Sequence, residues 1–344
     1  MPVAIPPLLD ELLRAPGPSG FEERAAAIWR EAAAGLGAEV SSDTLGSSFA
    51  RLPGTSGSPL LAIVAHVDEV GFQVSHVDEG GFVWISDLSG KNPLSLVRGR
   101  VQLLGPAGVV PGVVGRRGRE DKVEWEQLYV DIGARDRDEA LALVRVGDPG
   151  CLAGDPVELA GGRVASKALD NRSGTFIALE ILRLLAADPA AADVVAIASV
   201  QEESGHQGAQ AAAFALEPDV AIVLDVTYAV DVPDGDPRTA VDHRLGGGPA
   251  LFRGPAVHPK VFALLEECAA AEGLPWSVET GSKTMTDADG IHPSRAGVPT
   301  GLVSLPLRQM HSAIETAQLS DLEACARLVA AFARRLEPGV SFER

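Results

Sequence analysis

From Ala165 to its C-terminal end the chain alternates helical and strand-length apolar patterns, and this alternation limits its fold more than any other feature. Residues 175–187, 207–216, 257–271 and 319–336 carry apolar side chains at helical spacing, while 193–200, 220–224 and 299–305 are short continuous apolar runs. A strand buried on both faces loses the polar alternation of a half-exposed one, so such runs between helices predict an α/β sandwich with a mostly parallel sheet. Upstream, residues 59–65 form another such run ending in His66, and residues 21–34 read as an amphipathic helix stopped by Gly35 and Gly37.

Between these two regions the pattern changes. Residues 74–156 are short Val/Gly-rich runs (82–85, 97–104, 108–114, 128–132) separated by turn signals, with one short helical stretch at 138–143. The expected organisation is a discontinuous domain of residues 1–73 and 157–344, sheet between helices, carrying an inserted small β-rich, barrel-like domain of residues 74–156. Residues 226–250, rich in Gly, Pro and Asp, read as a loop.

Composition excludes whole classes of function. With 29 basic and 47 acidic residues the net charge is −18, a field that repels nucleic acid and anionic lipid. No run approaches the roughly 18 uncharged apolar residues of a bilayer-spanning helix, and the apolar start lacks the basic lead of a secretory signal. The three cysteines, Cys151, Cys268 and Cys325, are far apart and fit neither a disulfide framework nor a thiolate zinc site. A cytoplasmic protein with buried thiols is expected, with no nucleic-acid or membrane partner.

Polar, metal-capable residues follow the predicted strands, where open α/β sheets collect ligand sites. His66, Glu202 with Glu203, Asp225 and His311 all fall there, and Asp170 opens the helix of residues 171–187. Two imidazoles and three carboxylates suit Zn²⁺, Co²⁺ or Mn²⁺, and one bridging carboxylate lets five side chains serve two cations, leaving one Glu over. Taken singly, each has an ordinary explanation: a strand-end His is commonly a packing residue, and Asp170 is a normal helix N-cap. The adjacent Glu202 and Glu203 are harder to explain away, because buried like charges repel unless a cation or proton separates them.

The strings Gly17-Pro18-Ser19-Gly20-Phe21-Glu22, Ala65-His66-Val67-Asp68-Glu69-Val70-Gly71-Phe72, Lys167-Ala168-Leu169-Asp170-Asn171-Arg172-Ser173-Gly174, Gln201-Glu202-Glu203-Ser204-Gly205 and His311-Ser312 through Glu315 resemble, in this order, the signatures of the glutamyl/leucyl aminopeptidase family that includes the tetrahedral (TET) aminopeptidases. Some relatives are labelled endoglucanases. The resemblance implies a zinc-peptidase-like fold and an aminopeptidase acting on short peptides with a free N-terminus through two divalent ions per chain, zinc or cobalt first and manganese as an option. It implies that His66 and Asp225 hold one ion, Glu203 and His311 the other, and that Asp170 bridges them. Glu202 is then the general base and Asp68 the carboxylate that orients His66. It also implies a homo-oligomer, a dimer or a tetrahedral dodecamer. Residues 280–292 are expected to line the substrate cleft.

Other readings on the same scaffold are an amidohydrolase or deacetylase of small N-acyl compounds, an endoglucanase-type hydrolase, and a non-catalytic interaction module. The chain departs from the family strings at His206-Gln207, where relatives commonly carry an apolar residue and Arg, and at Ala313, where Pro is common. His206 reads as a surface-loop residue, and His76, His243, His258 and His292 as structural.

Overall fold

A computed structural model describes the chain apart from residues 1–3, 91, 119–121, 234, 241 and 344. Residues 1–3 of the apolar start therefore lie outside the described residues.

Among the described residues, the largest sheet has eight strands in the order Glu39–Ser42, Ser48–Leu52, Asp193–Ser199, Leu60–His66, Val220–Tyr228, Thr300–Leu307, Ala250–Arg253, Ser277–Thr280. The four central strands run parallel to one another. Antiparallel pairs join the first strand to the second, the second to Asp193–Ser199, and Thr300–Leu307 to Ala250–Arg253. All of Asp193–Ser199 and Thr300–Leu307 is buried, as is Leu60–His66 after its first residue. Side chains of both parities are thus shielded, which requires cover on both faces. The long helix Leu169–Ala187 packs on the central strands and on the C-terminal helix Leu319–Arg334. Gln207–Leu216 and Asp287–Ile291 pack on each other, the first also on Asp193–Ser199 and the second on Leu60–His66.

A second set of strands, Phe72–Val77, Val83–Asp87, Leu128–Asp131, Gly108–Arg116, Arg100–Gly105 and Pro149–Leu152, closes into a barrel in that order. It has a hydrophobic core of its own, built around Phe72, Val83, Ile85, Leu103, Leu128 and Val130. A small antiparallel sheet of Val157–Leu159, Arg163–Ser166 and Glu315–Gln318 is a third ladder, joined to the end of Thr300–Leu307 by the mutual backbone bonds of Arg308 and Thr316.

Several elements differ from the sequence expectation. The strand expected at 220–224 continues to Tyr228, into the segment read as loop, because Thr300–Leu307 pairs with it throughout. Pro7–Arg14, to which the sequence reading gave no element, is a helix that buries Leu9, Leu12 and Leu13. Within 280–292 lies a short helix, Asp287–Ile291, whose Thr286 hydroxyl caps the Ala288 amide at 3.2 Å. Asp170 is not a side-chain N-cap: the helix is preceded by Ala168 in a left-handed conformation, and the backbone of Asp170 and Asn171 leaves the helical range.

Candidate metal centre

His66 ends its strand level with Ser199 of the parallel neighbour, so the turn after Ser199 brings Glu202 and Glu203 to the same sheet end. Asp225 stands on the adjoining strand, opposite Ser304. Asp170 sits at the kink of the long helix, which the Asn171 side chain ties to the Leu224 carbonyl at 2.9 Å.

Two buried carboxylates hold these segments together through backbone amides. Asp68 accepts from Glu202 N at 3.1 Å and Glu203 N at 3.2 Å, and from the Ser19 hydroxyl at 2.6 Å. Glu315 accepts from Asp170 N at 3.0 Å and His311 N at 3.1 Å, across a sheet in which Ser166 pairs with Glu315. A carboxylate that receives several amide hydrogen bonds is strongly localised, and it localises the donors in turn.

The donor atoms converge on one cavity of about 420 Å³ lined by His66, Asp170, Glu202, Glu203, Asp225 and His311. Asp170 faces both imidazoles: Oδ1 is 3.2 Å from His66 Nε2 and Oδ2 is 3.0 Å from His311 Nε2. His66 Nε2 also lies 3.9 Å from Asp225 Oδ1 and 3.8 Å from Glu202 Oε2. One ligand atom from each of His66, Asp170 and Glu203 falls within 4.8 Å of the other two. The far wall includes Thr280, Lys283, Thr284 and Met285, within the segment expected to line the cleft.

The electrostatics of this cluster are those of a site short of positive charge. Burial, then the Asp170 carboxylate, pushes Glu203 well above the usual carboxyl range. Burial together with Glu202 and Asp170 does the same to Asp225, against the pull of His66. Glu202 is raised by burial, with His66 and His206 opposing. Burial disfavours a charged His66, but Glu202, Asp170 and Asp68 outweigh it and hold the imidazole well above its ordinary value. Asp170, buried yet hydrogen-bonded by His311 and His66, is lowered. Glu203 Oε1 is buried and accepts no hydrogen bond. An orphaned carboxylate oxygen among imidazoles and other acids is the donor chemistry that divalent cations satisfy.

Every residue singled out from the sequence for this centre, Asp68 included, comes to the cavity or directly behind it. His206 stands in the turn before Gln207–Leu216, but its ring points inward rather than to solvent. A left-handed backbone (φ 64°) turns it back, with its Nδ1 3.1 Å from Glu202 Oε1 and 3.7 Å from Asp287 Oδ1. The Asp287 and Glu202 carboxylates facing the ring push it up to about 10. The sequence reading gave no role to Glu315 or Asp287; Glu315 lies in the quoted His311 string, but nothing in its spacing reveals an amide clasp. His243 contacts the Ser277 hydroxyl and His258 caps its own helix, and neither lines the cavity.

Imidazoles and buried carboxylates gathered at the carboxyl ends of parallel strands define the class: a metal-dependent hydrolase of zinc-peptidase-like α/β fold. The chain belongs to the M42 glutamyl aminopeptidase family, which it matches over residues 46–328. It is similar to the lysyl aminopeptidase of Pyrococcus furiosus, 33% identical over an alignment that covers 96% of this chain and 97% of that protein. The TET aminopeptidase of the archaeon Thaumarchaeota archaeon SCGC AB-539-E09 superposes with a TM-score of 0.92 at 32% identity, covering 96% of both chains. The TET1 peptidase of Pyrococcus horikoshii, which can assemble into a tetrahedron or a large octahedral shell, superposes with a TM-score of 0.85 at 25% identity over 96% of this chain and 99% of its own. The chain is a metal-dependent aminopeptidase, a hydrolase of peptide bonds.

Proposed function

We propose that the chain binds two divalent cations, zinc or cobalt in the first instance and manganese as an alternative, and with them releases N-terminal residues from short peptides. His66 and Asp225 would hold one ion, Glu203 and His311 the other, with Asp170 shared between the two. The observation that carries this reading is Asp170 itself, whose two oxygens lie 3.2 Å and 3.0 Å from two different imidazoles. A paired metal centre of this kind supplies Lewis acidity, polarising the scissile carbonyl and making a water acidic at neutral pH.

The remaining work falls to side chains. Glu202, buried in the cavity wall, takes the proton of the attacking water at a carboxylate oxygen and returns it to the leaving amine. Asp68 keeps His66 Nδ1 engaged, at 3.3 Å, so that Nε2 points into the cavity. Glycoside hydrolysis calls for two carboxyl groups facing each other across a sugar bond; here the acids are interleaved with imidazoles, which favours acyl chemistry.

Residues 1–73 and 157–344 are taken as the catalytic domain and 74–156 as an inserted domain; the separate barrel core supports this division, with its first strand starting at Phe72, just before the boundary. A homo-oligomer, dimeric or tetrahedral, fits the assemblies of the similar TET peptidases. The compartment proposed is the cytoplasm: the three cysteines are free and buried, and no helix among the described residues is long and apolar enough to cross a membrane.

The test is Glu202→Gln. Hydrolysis of aminoacyl p-nitroanilides should fall by about 10²–10⁴-fold while metal content by atomic emission stays at the wild-type level. Unimpaired turnover would end the mechanism.

A further inference from the structure

A second set of donors meets at Glu202, on the side away from His66. His206 Nδ1 lies 3.1 Å from Glu202 Oε1 and 3.7 Å from Asp287 Oδ1. One ligand atom from each of the three residues is within 4.8 Å of the others. Four-coordinate zinc with bonds of about 2.0–2.2 Å sets its donors roughly 3.3–3.6 Å apart along each tetrahedral edge. The two measured separations straddle that edge length.

The atoms are also poorly served by the protein alone. His206 Nδ1 and Asp287 Oδ1 are buried and make no hydrogen bond of acceptable geometry. Asp287 is fully buried, and its other oxygen is fixed at 2.5 Å by the Ser199 hydroxyl, so Oδ1 stays turned toward the imidazole. The left-handed backbone at His206 holds the ring over Glu202, with His206 N bonded to the carbonyls of Gln201 and Glu202. The His206 side chain is 23% exposed, which leaves a route from solvent.

We propose that Glu202, His206 and Asp287 form a further divalent-cation site, distinct from the paired centre, whose filling withdraws Glu202 from proton transfer and makes excess zinc inhibitory. The ion is held by the neutral imidazole through Nδ1 and by the two ionised carboxylates, and a proton carried by the ring at Nδ1 passes to solvent as the ion enters. One imidazole and two carboxylates are an ordinary ligand set for zinc, with a solvent water completing the tetrahedron. Binding stands on geometry alone; inhibition rests on the assignment of Glu202 as the base.

Equilibrium dialysis of the whole protein against graded zinc, with metal analysis and parallel kinetics, tests both parts. Wild-type chains should take up one more zinc per chain at saturation than His206→Leu or Asp287→Asn chains, and lose activity as that equivalent fills. In His206→Leu the zinc concentration that halves the rate, relative to that variant's own rate at low zinc, should rise by more than about tenfold. Circular dichroism identifies a variant that fails to fold; His206→Leu, the more exposed position, decides if Asp287→Asn does. Equal zinc uptake by wild type and His206→Leu overturns the site. Uptake of the extra equivalent with an undiminished rate overturns the inhibition and the role of Glu202 as base, a failure that the stoichiometry separates from absence of the site.

Discussion

Nδ1 of His66 stands 3.3 Å from Oδ1 of Asp68, and both side chains are almost wholly shielded from solvent. The same carboxylate receives the amides of Glu202 and Glu203. Asp68 therefore sets the orientation of one ring and the path of the turn that carries the two glutamates. Ring and turn are coupled through a single side chain.

Asp68→Asn keeps the shape of this contact and removes its charge. Zinc affinity should weaken by about 10–100-fold, and kcat at saturating zinc should fall, since the Glu202 turn loses a charged acceptor. A metal titration followed by kinetics at full loading separates the two effects. Unchanged affinity would show that Asp68 does not govern His66.

Removal of metal should lower stability as well as activity. Glu202, Glu203 and Asp225 are all raised by burial together with neighbouring carboxylates, so a cation bound only by the folded chain relieves repulsion there. Chelator-treated protein should melt lower, and zinc at a hundred times its Kd should restore about 2.7 kcal/mol for each site filled. Identical melting of the stripped and loaded forms would contradict the assignment.

Behind the centre, Lys167 Nζ lies 2.8 and 2.9 Å from the two Glu69 oxygens, with both side chains buried. Lys167→Met removes one charge and leaves Glu69 with the Gly17 amide at 3.1 Å and, as its remaining cation among the described residues, the more distant Arg172 at 3.6 Å. Destabilisation of about 3–5 kcal/mol is expected in denaturant unfolding. A loss below 1 kcal/mol would mean that Arg172 already neutralises Glu69.

Glu22 provides a pH-dependent signal outside the donor set. Burial and the Asp68 charge push it up to about 7. Between the unfolded value near 4.5 and this folded value the native chain holds a proton that the unfolded chain has released, so the contribution of Glu22 to stability declines as pH rises through that window. Glu22→Gln cannot lose that proton. The melting temperature of the variant relative to wild type should be higher at pH 8 than at pH 4, and a difference independent of pH would refute the shift.

The legible part of this molecule was what burial writes into sequence. Leu60–His66, Asp193–Ser199 and Thr300–Leu307 stand out because both of their faces are covered, and the site residues stand out because they follow such strands. Glu39–Ser42 and Ser48–Leu52 have no such signature: they lie toward the sheet edge with exposed Ser, Glu and Arg, and pairing rather than apolar content makes them strands. His206 escaped because its position depends on a left-handed torsion that a non-glycine residue does not advertise. The Glu315 clasp escaped because hydrogen bonds to backbone amides carry no residue pattern on the receiving side.

His311 reaches the cavity from beside the small antiparallel sheet, while His66 and Asp225 stand on the large one and its strands. The centre is thus assembled from segments spread between residues 66 and 311. A nascent chain lacks one imidazole and its clasp until His311 and Glu315 have both been added. Such a peptidase would be inert toward its surroundings until that segment has folded into place.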